Sequence, residues 1–426
     1  MNILGNYSQS GSLRAEQNSL SSKRVGLYLG VQPTAGGMFQ YAQCVLRSLE
    51  HLRCNGELDV LVAYGDQRWV DILEPMGMPS VKLTHLEQGN FISKLIMTVF
   101  VPPWLARILS GWFNPVAKAL NSAGCDVWMF PAQDELTWQV KGPVVATIHD
   151  LMHRYERSFP EAGSWFRYLL REHRFKCLSR NSQIVIVDSK LGKRHVVESY
   201  SANQEQVKAL PYVAPSYITE GRERDDFDEV YQLPTKFYFY PAQFWPHKNH
   251  LCLIKALLRA KAECSDMVVV LAGGMRLGYE KIRKKVAEAG LEDSVLFVGY
   301  VPDDDMSGFY KRAHGLVMPT FFGPTNIPPL EAMALGCPVL ISNVYAMPEQ
   351  CGDAALYFSP SSDEEMSAQM IRLWKDEVLI EQLSEAGRNR TRQWGQTQFE
   401  KCLGEILLAA ISAINKNNKL RHSHRA

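Results

Sequence analysis

The chain has 426 residues, enough for two or three domains of ordinary size. Apolar residues make up 46% and charged residues 21%, a balance typical of globular proteins with large cores. The 46 basic and 45 acidic side chains nearly cancel, so the basic excess of a dedicated nucleic-acid-binding protein is missing. We therefore expect no nucleic-acid partner.

Cysteines and histidines carry no metal or disulfide signature. The nine cysteines are scattered, odd in number and without a CxxC pair, which favours free thiols in a reducing cytosol. The eleven histidines lack HExxH and zinc-finger spacing, so we expect no structural metal.

The first 22 residues are rich in Ser, Asn, Gln and Gly and lack the apolar stretch of a signal peptide, so we expect a disordered leader. The longest uncharged apolar run, 95–106, is too short for a bilayer span of about 20 residues and contains Pro102 and Pro103. These features predict a cytoplasmic protein that is soluble or peripheral to a membrane.

Strand-like and helix-like segments alternate along the chain. A short apolar run, a Pro/Gly loop and a helical pattern open it, as in a Rossmann-like unit. The later strands are continuously apolar, which is typical of parallel sheets covered by helices on both faces. Predicted strands are 25–31, 58–64, 126–130, 143–148, 183–188, 237–240, 267–271, 295–298, 315–318 and 338–341; predicted helices are 39–52, 94–120, 163–180, 189–199, 249–263, 278–289, 304–313 and 328–335.

A polar, charged stretch at 217–228 separates two α/β blocks of similar size. The sequence thus predicts two Rossmann-like domains that face each other across a cleft. The predicted units are a leader 1–22, an N-terminal acceptor domain 23–215, a linker 216–235, a C-terminal donor domain 236–394, a helix 395–415 that returns to the N-terminal domain, and a basic tail 416–426.

Ligands of such sheets bind at the carboxyl ends of the strands, so the loops that follow the strands are the candidate sites. Lys248 follows one predicted strand and stands at a helix start, where a cation opposes the helix dipole. Binding a phosphate would resolve that conflict. A solvated lysine at a frayed turn is the alternative.

A second candidate loop, 323–326, leads into a predicted helix with prolines in its first turn. Glu331 is expected in that turn, charged at neutral pH. Its carboxylate either compensates the helix dipole or accepts two ribose hydroxyls at a cleft. The loop itself could offer backbone N–H groups to a ligand.

These loops, with the spacing between them, resemble the retaining glycosyltransferases of family 4, which have the GT-B fold. The resemblance is clearest over 236–360: it includes the Lys248 loop, the Gly299-Tyr300-Val301 turn, the run 327–339 and Pro348-Glu349. The N-terminal half matches more loosely, through Gly36-Gly37 with Tyr41 and through 147–151.

The resemblance implies a role for each matched residue. Lys248 would neutralise the donor diphosphate, Glu331 would hold the ribose, and the backbone at Tyr300 and Val301 would meet the nucleobase. His149 would lie beside the sugar as a hydrogen-bonding partner. The other donor-binding residues would be Gly37, Gln243, Asn249, Thr325, Asn326, Ile327 and Leu330, and the acceptor-binding residues Gly36 and Tyr41.

Two positions depart from the family pattern. Gln243 stands where the family commonly has an arginine five positions before the matched lysine, and Gly323 where it has an acidic residue eight positions before the matched glutamate. Either neutral hydrogen bonds from Gln243 and from Thr325-Asn326 take over, or activity is weak or lost.

The chemistry of retaining transfer suits this set of residues. A lysine and helix-start amides can stabilise a leaving nucleotide diphosphate, so we expect no metal and no cofactor beyond the nucleotide sugar donor. Asp303-Asp304-Asp305 contains the DxD pattern of metal-dependent transferases with another fold, but directly after Pro302 it is expected to cap a helix.

Residues 91–113 include Phe100, Trp104 and Trp112, flanked by Lys94 and Arg107. They suit either an interfacial helix or a core helix of the first domain. If exposed, they would dock the protein on a membrane, at the inner face of the plasma membrane, that carries a lipid-linked acceptor.

The sequence therefore predicts a glycosyltransferase that moves a hexose from a nucleotide diphosphate sugar to a saccharide or lipid-linked saccharide with retention, in bacterial cell-surface polysaccharide or lipopolysaccharide synthesis. The alternatives are a catalytically silent GT-B partner subunit, motivated by Gln243 and Gly323, and a nucleotide-sugar epimerase or hydrolase.

Overall fold

Two parallel β-sheets, one in each half of the chain, organise the computed structural model, which describes residues 23–32, 36–83 and 86–423. The expected leader 1–22 lies outside the described residues. Both sheets are parallel at every pairing, and their central strands are almost entirely buried, as the continuous apolar runs predict, while the edge strands are partly or fully exposed.

The N-terminal domain has a seven-stranded sheet in the order β3-β2-β1-β4-β5-β6-β7. Its short edge strands β3 and β7 were not predicted. Its strands are Arg24–Leu29 (β1), Asp59–Tyr64 (β2), Ser80–Lys82 (β3), Val127–Phe130 (β4), Val144–Thr147 (β5), Ile184–Val187 (β6) and Val207–Ala209 (β7); its helices are Gly37–Cys54 (α1), Val70–Leu73 (α2), Leu86–Thr98 (α3), Pro103–Phe113 (α4), Pro115–Ser122 (α5), Met152–Tyr155 (α6), Trp165–Asn181 (α7) and Lys190–Tyr200 (α8).

The C-terminal domain has a six-stranded sheet in the order β10-β9-β8-β11-β12-β13. Two short helices, Ser216–Thr219 (α9) and Phe227–Tyr231 (α10), lie in the segment predicted as a linker. The strands are Tyr238–Pro241 (β8), Val269–Ala272 (β9), Val295–Gly299 (β10), Gly315–Met318 (β11), Val339–Ser342 (β12) and Ala355–Phe358 (β13); the helices are His250–Ala260 (α11), Tyr279–Glu288 (α12), Asp303–Arg312 (α13), Ile327–Leu335 (α14), Met347–Cys351 (α15), Asp363–Lys375 (α16), Glu377–Gln393 (α17) and Gln396–Ser423 (α18).

The single helix predicted over 94–120 is wrong, because this segment forms the three helices α3, α4 and α5. Proline lacks the backbone N–H that a helix interior needs and fits a first turn. Pro103 and Pro115 accordingly start α4 and α5, and Asn114 between them caps α5 by accepting from the backbone N–H groups of Val116 and Ala117.

The last helix, α18, packs on the core of the N-terminal domain. Phe399, Leu403 and Leu407 are fully buried there, and α1 is a principal neighbour of α18. The helix continues to Ser423, beyond the predicted end at 415, so much of the expected tail is helical. Among the described residues no helix is both long and apolar enough to cross a membrane.

Candidate active site

A cleft lies where loops of the two domains meet. The C-terminal domain contributes the loops that follow β8 and β11, and the N-terminal domain the loop after β5 and the start of α1. The cavity measures about 660 Å³. Its lining includes these predicted site residues: Gly36, Gly37, His149, Lys248, Thr325, Asn326, Ile327 and Glu331.

Lys248 ends a short 3-10 helix at Pro246–Lys248, and α11 begins two residues later. The intervening Asn249 has a φ of 59°, which turns the chain into the new helix. Among the described residues the Lys248 ammonium donates one hydrogen bond, 3.3 Å long, to Asn326 Oδ1. Burial lowers its pKa to about 8, so an incoming anion would meet a poorly solvated cation.

The carboxylate of Glu331 is enclosed by two tyrosines. Tyr310 donates to one oxygen at 2.6 Å, and Tyr217, from α9, donates to the other. Since α14 already begins at Ile327, Glu331 lies in its second turn, which corrects the predicted place in the first turn. Burial raises its pKa to about 7, which also contradicts the expectation of a fully charged carboxylate.

His149 lines the cleft, but protein groups engage both of its ring nitrogens. Nε2 lies 2.8 Å from the carbonyl oxygen of Pro131, and Nδ1 lies 2.5 Å from the Tyr212 hydroxyl. A carbonyl can only accept, so Nε2 carries the proton and Nδ1 accepts from the tyrosine. Burial lowers the pKa of His149, which keeps the ring neutral.

Gly323 marks the point where the predicted acidic residue is missing. Its φ is 145°, in the region that favours glycine, and a Cβ at this position would lie 2.3 Å from the Asn326 side chain. The loop therefore cannot hold Asn326 against Lys248 and also carry a glutamate at 323. The glycine at 323 thus goes together with the contact between Asn326 and Lys248.

Gln243 and Asn249 make contacts within the protein. The Gln243 side-chain oxygen accepts from Trp245 Nε1 at 3.0 Å and from Arg276 Nε at 3.1 Å. Asn249 donates to the carbonyl oxygens of Pro319 and Pro360. Asn249 thus links two loops of its own domain, and its predicted donor contact stays a prediction.

Four further predicted residues lie away from the cleft lining. Tyr41 is 3% exposed and packs against His149 and Phe399, so the predicted acceptor contact is replaced by a core position. Leu330 is buried and lines a neighbouring cavity. The Tyr300 side chain is exposed and Val301 is buried, and the predicted base contact of their backbone stays a prediction.

The acidic run at 303–305 occupies the first turn of α13, but Pro302 is the N-cap and no side chain caps the helix. The predicted cap is therefore wrong, and the three carboxylates instead complement the helix dipole. Asp303 also accepts a 2.7 Å hydrogen bond from Gln40 of the N-terminal domain. Across the described residues, no group of three or more His, Cys, Asp or Glu side chains is placed to hold a metal ion.

Sequence reasoning missed the tyrosines that enclose Glu331, since Tyr217 lies in the predicted linker. It also missed Asp150 and Trp245 in the cleft lining. A signal for Trp245 existed, because it follows β8 three residues before Lys248.

Residues 221–390 match the family model described as glycosyl transferases group 1. The chain is 27% identical over 352 residues, 82% of its own length and 88% of the relative's, to the O-antigen chain mannosyltransferase RfbU of Salmonella typhimurium. It is 29% identical to the O-antigen chain mannosyltransferase B of Escherichia coli, a match that spans 42% of this chain and 47% of the relative.

Solved structures show the same architecture. Anabaena Alr3699/HepE in complex with UDP and glucose matches with a TM-score of 0.69 and 16% identity, over 91% of this chain and all of that chain. WaaG, a glycosyltransferase involved in lipopolysaccharide biosynthesis, matches with a TM-score of 0.63 and 15% identity, over 90% and 99%. The chain therefore has the GT-B fold, and its C-terminal half is similar to the glycosyl transferases group 1.

Proposed function

We propose that the protein is a family 4 glycosyltransferase that moves a hexose from a nucleotide diphosphate sugar to a saccharide or lipid-linked saccharide, with retention of configuration. The observation that carries the proposal is the half-buried ammonium of Lys248 in the cleft wall, whose hydrogen-bond partner in the described part of the chain is a neutral amide. A partly desolvated cation is stabilised when an anion binds it. A diphosphate is such an anion.

The cleft can assist departure of the diphosphate through charge and hydrogen bonds. Lys248 and the backbone N–H of Ile327, which is followed by two prolines without an N–H, would stabilise the negative charge that develops on the leaving group. Asn326 and Thr325 offer neutral hydrogen bonds where the family pattern has a carboxylate. We expect this set to act without a metal, so a chelator should leave transfer unchanged.

The names of the relatives support a narrower choice of substrate. Several are mannosyltransferases, and two of those named above act on O-antigen chains. Mannose is therefore the first hexose to test, and a bacterial surface polysaccharide or its lipid-linked precursor the first acceptor.

The direct test is incubation of the pure protein with a panel of nucleotide hexoses and candidate acceptors, followed by measurement of nucleotide diphosphate release. The anomeric configuration of the product, read by NMR, tests retention. Nucleotide binding without any release would favour a catalytically silent subunit. A nucleotide sugar converted without an acceptor would favour an epimerase or hydrolase.

An apolar surface on the N-terminal domain extends the proposal to a membrane. Helix α4 exposes Trp104, Ile108 and Trp112, which are spaced by four residues and therefore lie on one face. The adjacent helix α3 exposes Phe91 and Leu95 in the same spacing. The sequence contains no Asp or Glu between 88 and 125 but does contain Lys94, Arg107 and Lys118.

This combination of large apolar side chains and positive charge suits the interface of an anionic bilayer. The exposed stripe favours the interfacial alternative over a core helix. We propose that the surface of α3 and α4 docks the protein on an anionic membrane that holds a lipid-linked acceptor.

A further inference from the structure

Asp188 lies at the carboxyl end of β6, outside the set of residues assigned above. Its carboxylate is buried, with 3% of the residue exposed. Ser189 donates to one of its oxygens at 2.9 Å, and Thr325 Oγ1 donates to the other at 2.6 Å. Ser189, the next residue, is the N-cap of α8, so Asp188 itself does not cap that helix. Asp188 is free to bind the other domain.

A second carboxylate crosses the same interface in the opposite direction. Glu349, in α15 of the C-terminal domain, accepts from the backbone N–H groups of Lys190 at 2.7 Å and Leu191 at 3.3 Å. The first N–H groups of a helix have no partner within the helix, and a carboxylate there is favoured by the dipole. Each domain thus supplies a carboxylate that accepts hydrogen bonds from the other.

The two contacts meet on the loop that faces the cleft. Thr325 lines the cleft beside Asn326, which accepts the hydrogen bond of Lys248. The backbone N–H of Asn326 donates to the side chain of Gln350, the residue after Glu349. The conformation of the loop 323–326 is therefore fixed from the N-terminal domain through Asp188 and from its own domain through Gln350.

The surroundings of Asp188 leave room for the contact to break. A cavity of about 240 Å³ adjoins Asp188 and Thr325, and its wall also includes Tyr212, Arg390 and Trp394. Burial raises the pKa of Asp188, while the hydrogen bonds from Thr325 and Ser189 lower it. If the two domains moved apart, Thr325 would leave Asp188 and water would hydrate the carboxylate instead. The hydrogen bond between Thr325 and Asp188 therefore forms only when the domains are as close as they are here.

We propose that Asp188 is a positioning residue of the donor site: its carboxylate, supplied by the N-terminal domain, holds Thr325 so that the loop 323–326 faces the donor only when the domains are closed. This inference rests on the proposed function. Asp188 thus supplies a carboxylate from the N-terminal domain behind the loop 323–326, in which glycine stands at the position where the family commonly has an acidic residue.

The test compares five variants, which are four single substitutions and the double variant Asp188→Ala/Thr325→Val. Asp188→Ala and Thr325→Val each remove the hydrogen bond, from opposite domains, so the result does not depend on one variant folding well. Thr325→Ser keeps the hydroxyl. Asp71→Asn removes an exposed carboxylate elsewhere in the N-terminal domain and serves as the matched control.

The first readout is hydrogen exchange of the peptide around 323–326 in the presence of nucleoside diphosphate. We expect faster exchange in Asp188→Ala and Thr325→Val, and parental exchange in Thr325→Ser and Asp71→Asn. The second readout is steady-state transfer. A misplaced loop should lower kcat by about tenfold or more in Asp188→Ala and in Thr325→Val, while the donor Kd of Asp188→Ala stays within about twofold because Lys248 and the loop residues themselves are untouched.

Unchanged exchange and unchanged kcat in both Asp188→Ala and Thr325→Val would overturn the inference. The exchange readout needs no turnover, so it decides the role of Asp188 even if the parent transfers no sugar and the proposed function fails. The loss of kcat in the double variant, expressed as free energy, should be no larger than that of either single variant, because both substitutions remove the same hydrogen bond. A loss equal to the sum of the two single losses would count against the inference.

Discussion

Tyr310 donates a 2.6 Å hydrogen bond to one carboxylate oxygen of Glu331, and Tyr217 donates to the other. Both oxygens that the resemblance assigns to the donor ribose are therefore occupied in this structure. A ribose that binds Glu331 has to share or replace these donors. Since Tyr217 lies in the segment between the two domains, ribose binding and the position of that segment are coupled.

The first prediction concerns stability and pH. Burial raises the pKa of Glu331 from 4.5 to about 7, so between these values the folded protein keeps a proton that the unfolded chain loses. The free energy of unfolding therefore falls as pH rises through this window, by up to about 3 kcal/mol for this group. Glu331→Gln cannot titrate and escapes this loss.

Urea denaturation at pH 5 and pH 8 measures the effect. The stability of Glu331→Gln relative to the parent should be higher at pH 8 than at pH 5. Asp71→Asn, which alters an exposed carboxylate, should show no such change. An equal difference between Glu331→Gln and the parent at both pH values would show that Glu331 is charged throughout.

A second prediction assigns Glu331 to the ribose. Glu331→Gln keeps the shape of the side chain but loses its charge and exchanges one acceptor for a donor. We expect a higher donor KM, and a smaller preference for the parent donor over its 2′-deoxy analogue. A hydrogen bond to a charged group contributes about 1.5–3 kcal/mol, so the preference should fall by about tenfold or more.

Tyr217→Phe is the counterpart, because it removes a competing donor and should lower the donor KM. If Glu331→Gln binds donor as the parent does and alters only the pH profile of kcat, Glu331 is an acid–base group and its assignment to the ribose is wrong.

Much of the fold was predictable because continuous apolar runs such as 126–130 and 183–188 must be buried on both faces, which a parallel sheet covered by helices provides. The edge strands β3 and β7 were not, since three residues carry too little pattern. Prolines mark the helix breaks in 94–120. The prediction of one helix is wrong because the apolar pattern continues across these prolines although the helix does not.

The site was predictable in its positions and less so in its environment. Lys248 and Glu331 were located by their place after strands, which is a local property. The pKa of Glu331 is raised by burial and lowered by hydrogen bonds from Tyr217 and Tyr310, and both effects come from residues that are remote in sequence. Glycine is favoured at 323 because a Cβ there would clash with the Asn326 side chain, and the spacing of residues in the sequence does not reveal this contact.

The third prediction concerns the exposed surface of α3 and α4. The double variant Trp104→Ser/Trp112→Ser should lose binding to vesicles that contain anionic lipid. The two side chains are 65% and 77% exposed and are not part of the core, so the variant should still fold. Co-sedimentation measures binding, and circular dichroism checks folding. Binding of the parent should also weaken as salt is raised.

The matched control is Leu258→Ser/Val378→Ser, which removes two exposed apolar side chains from the C-terminal domain and should sediment as the parent does. If the parent itself does not sediment, or if the Trp104/Trp112 variant unfolds, the surface is not a membrane site.

The measurement closest to the central claim is calorimetric titration of the parent, Lys248→Ala and Lys255→Ala with a nucleoside diphosphate and with the nucleoside alone. Lys255 lies exposed on α11, seven residues after Lys248, and controls for loss of charge. We predict that Lys248→Ala weakens diphosphate binding by about tenfold or more and leaves nucleoside binding unchanged, while Lys255→Ala matches the parent. Equal diphosphate affinity in all three proteins would contradict the assignment of this cleft to a nucleotide diphosphate sugar.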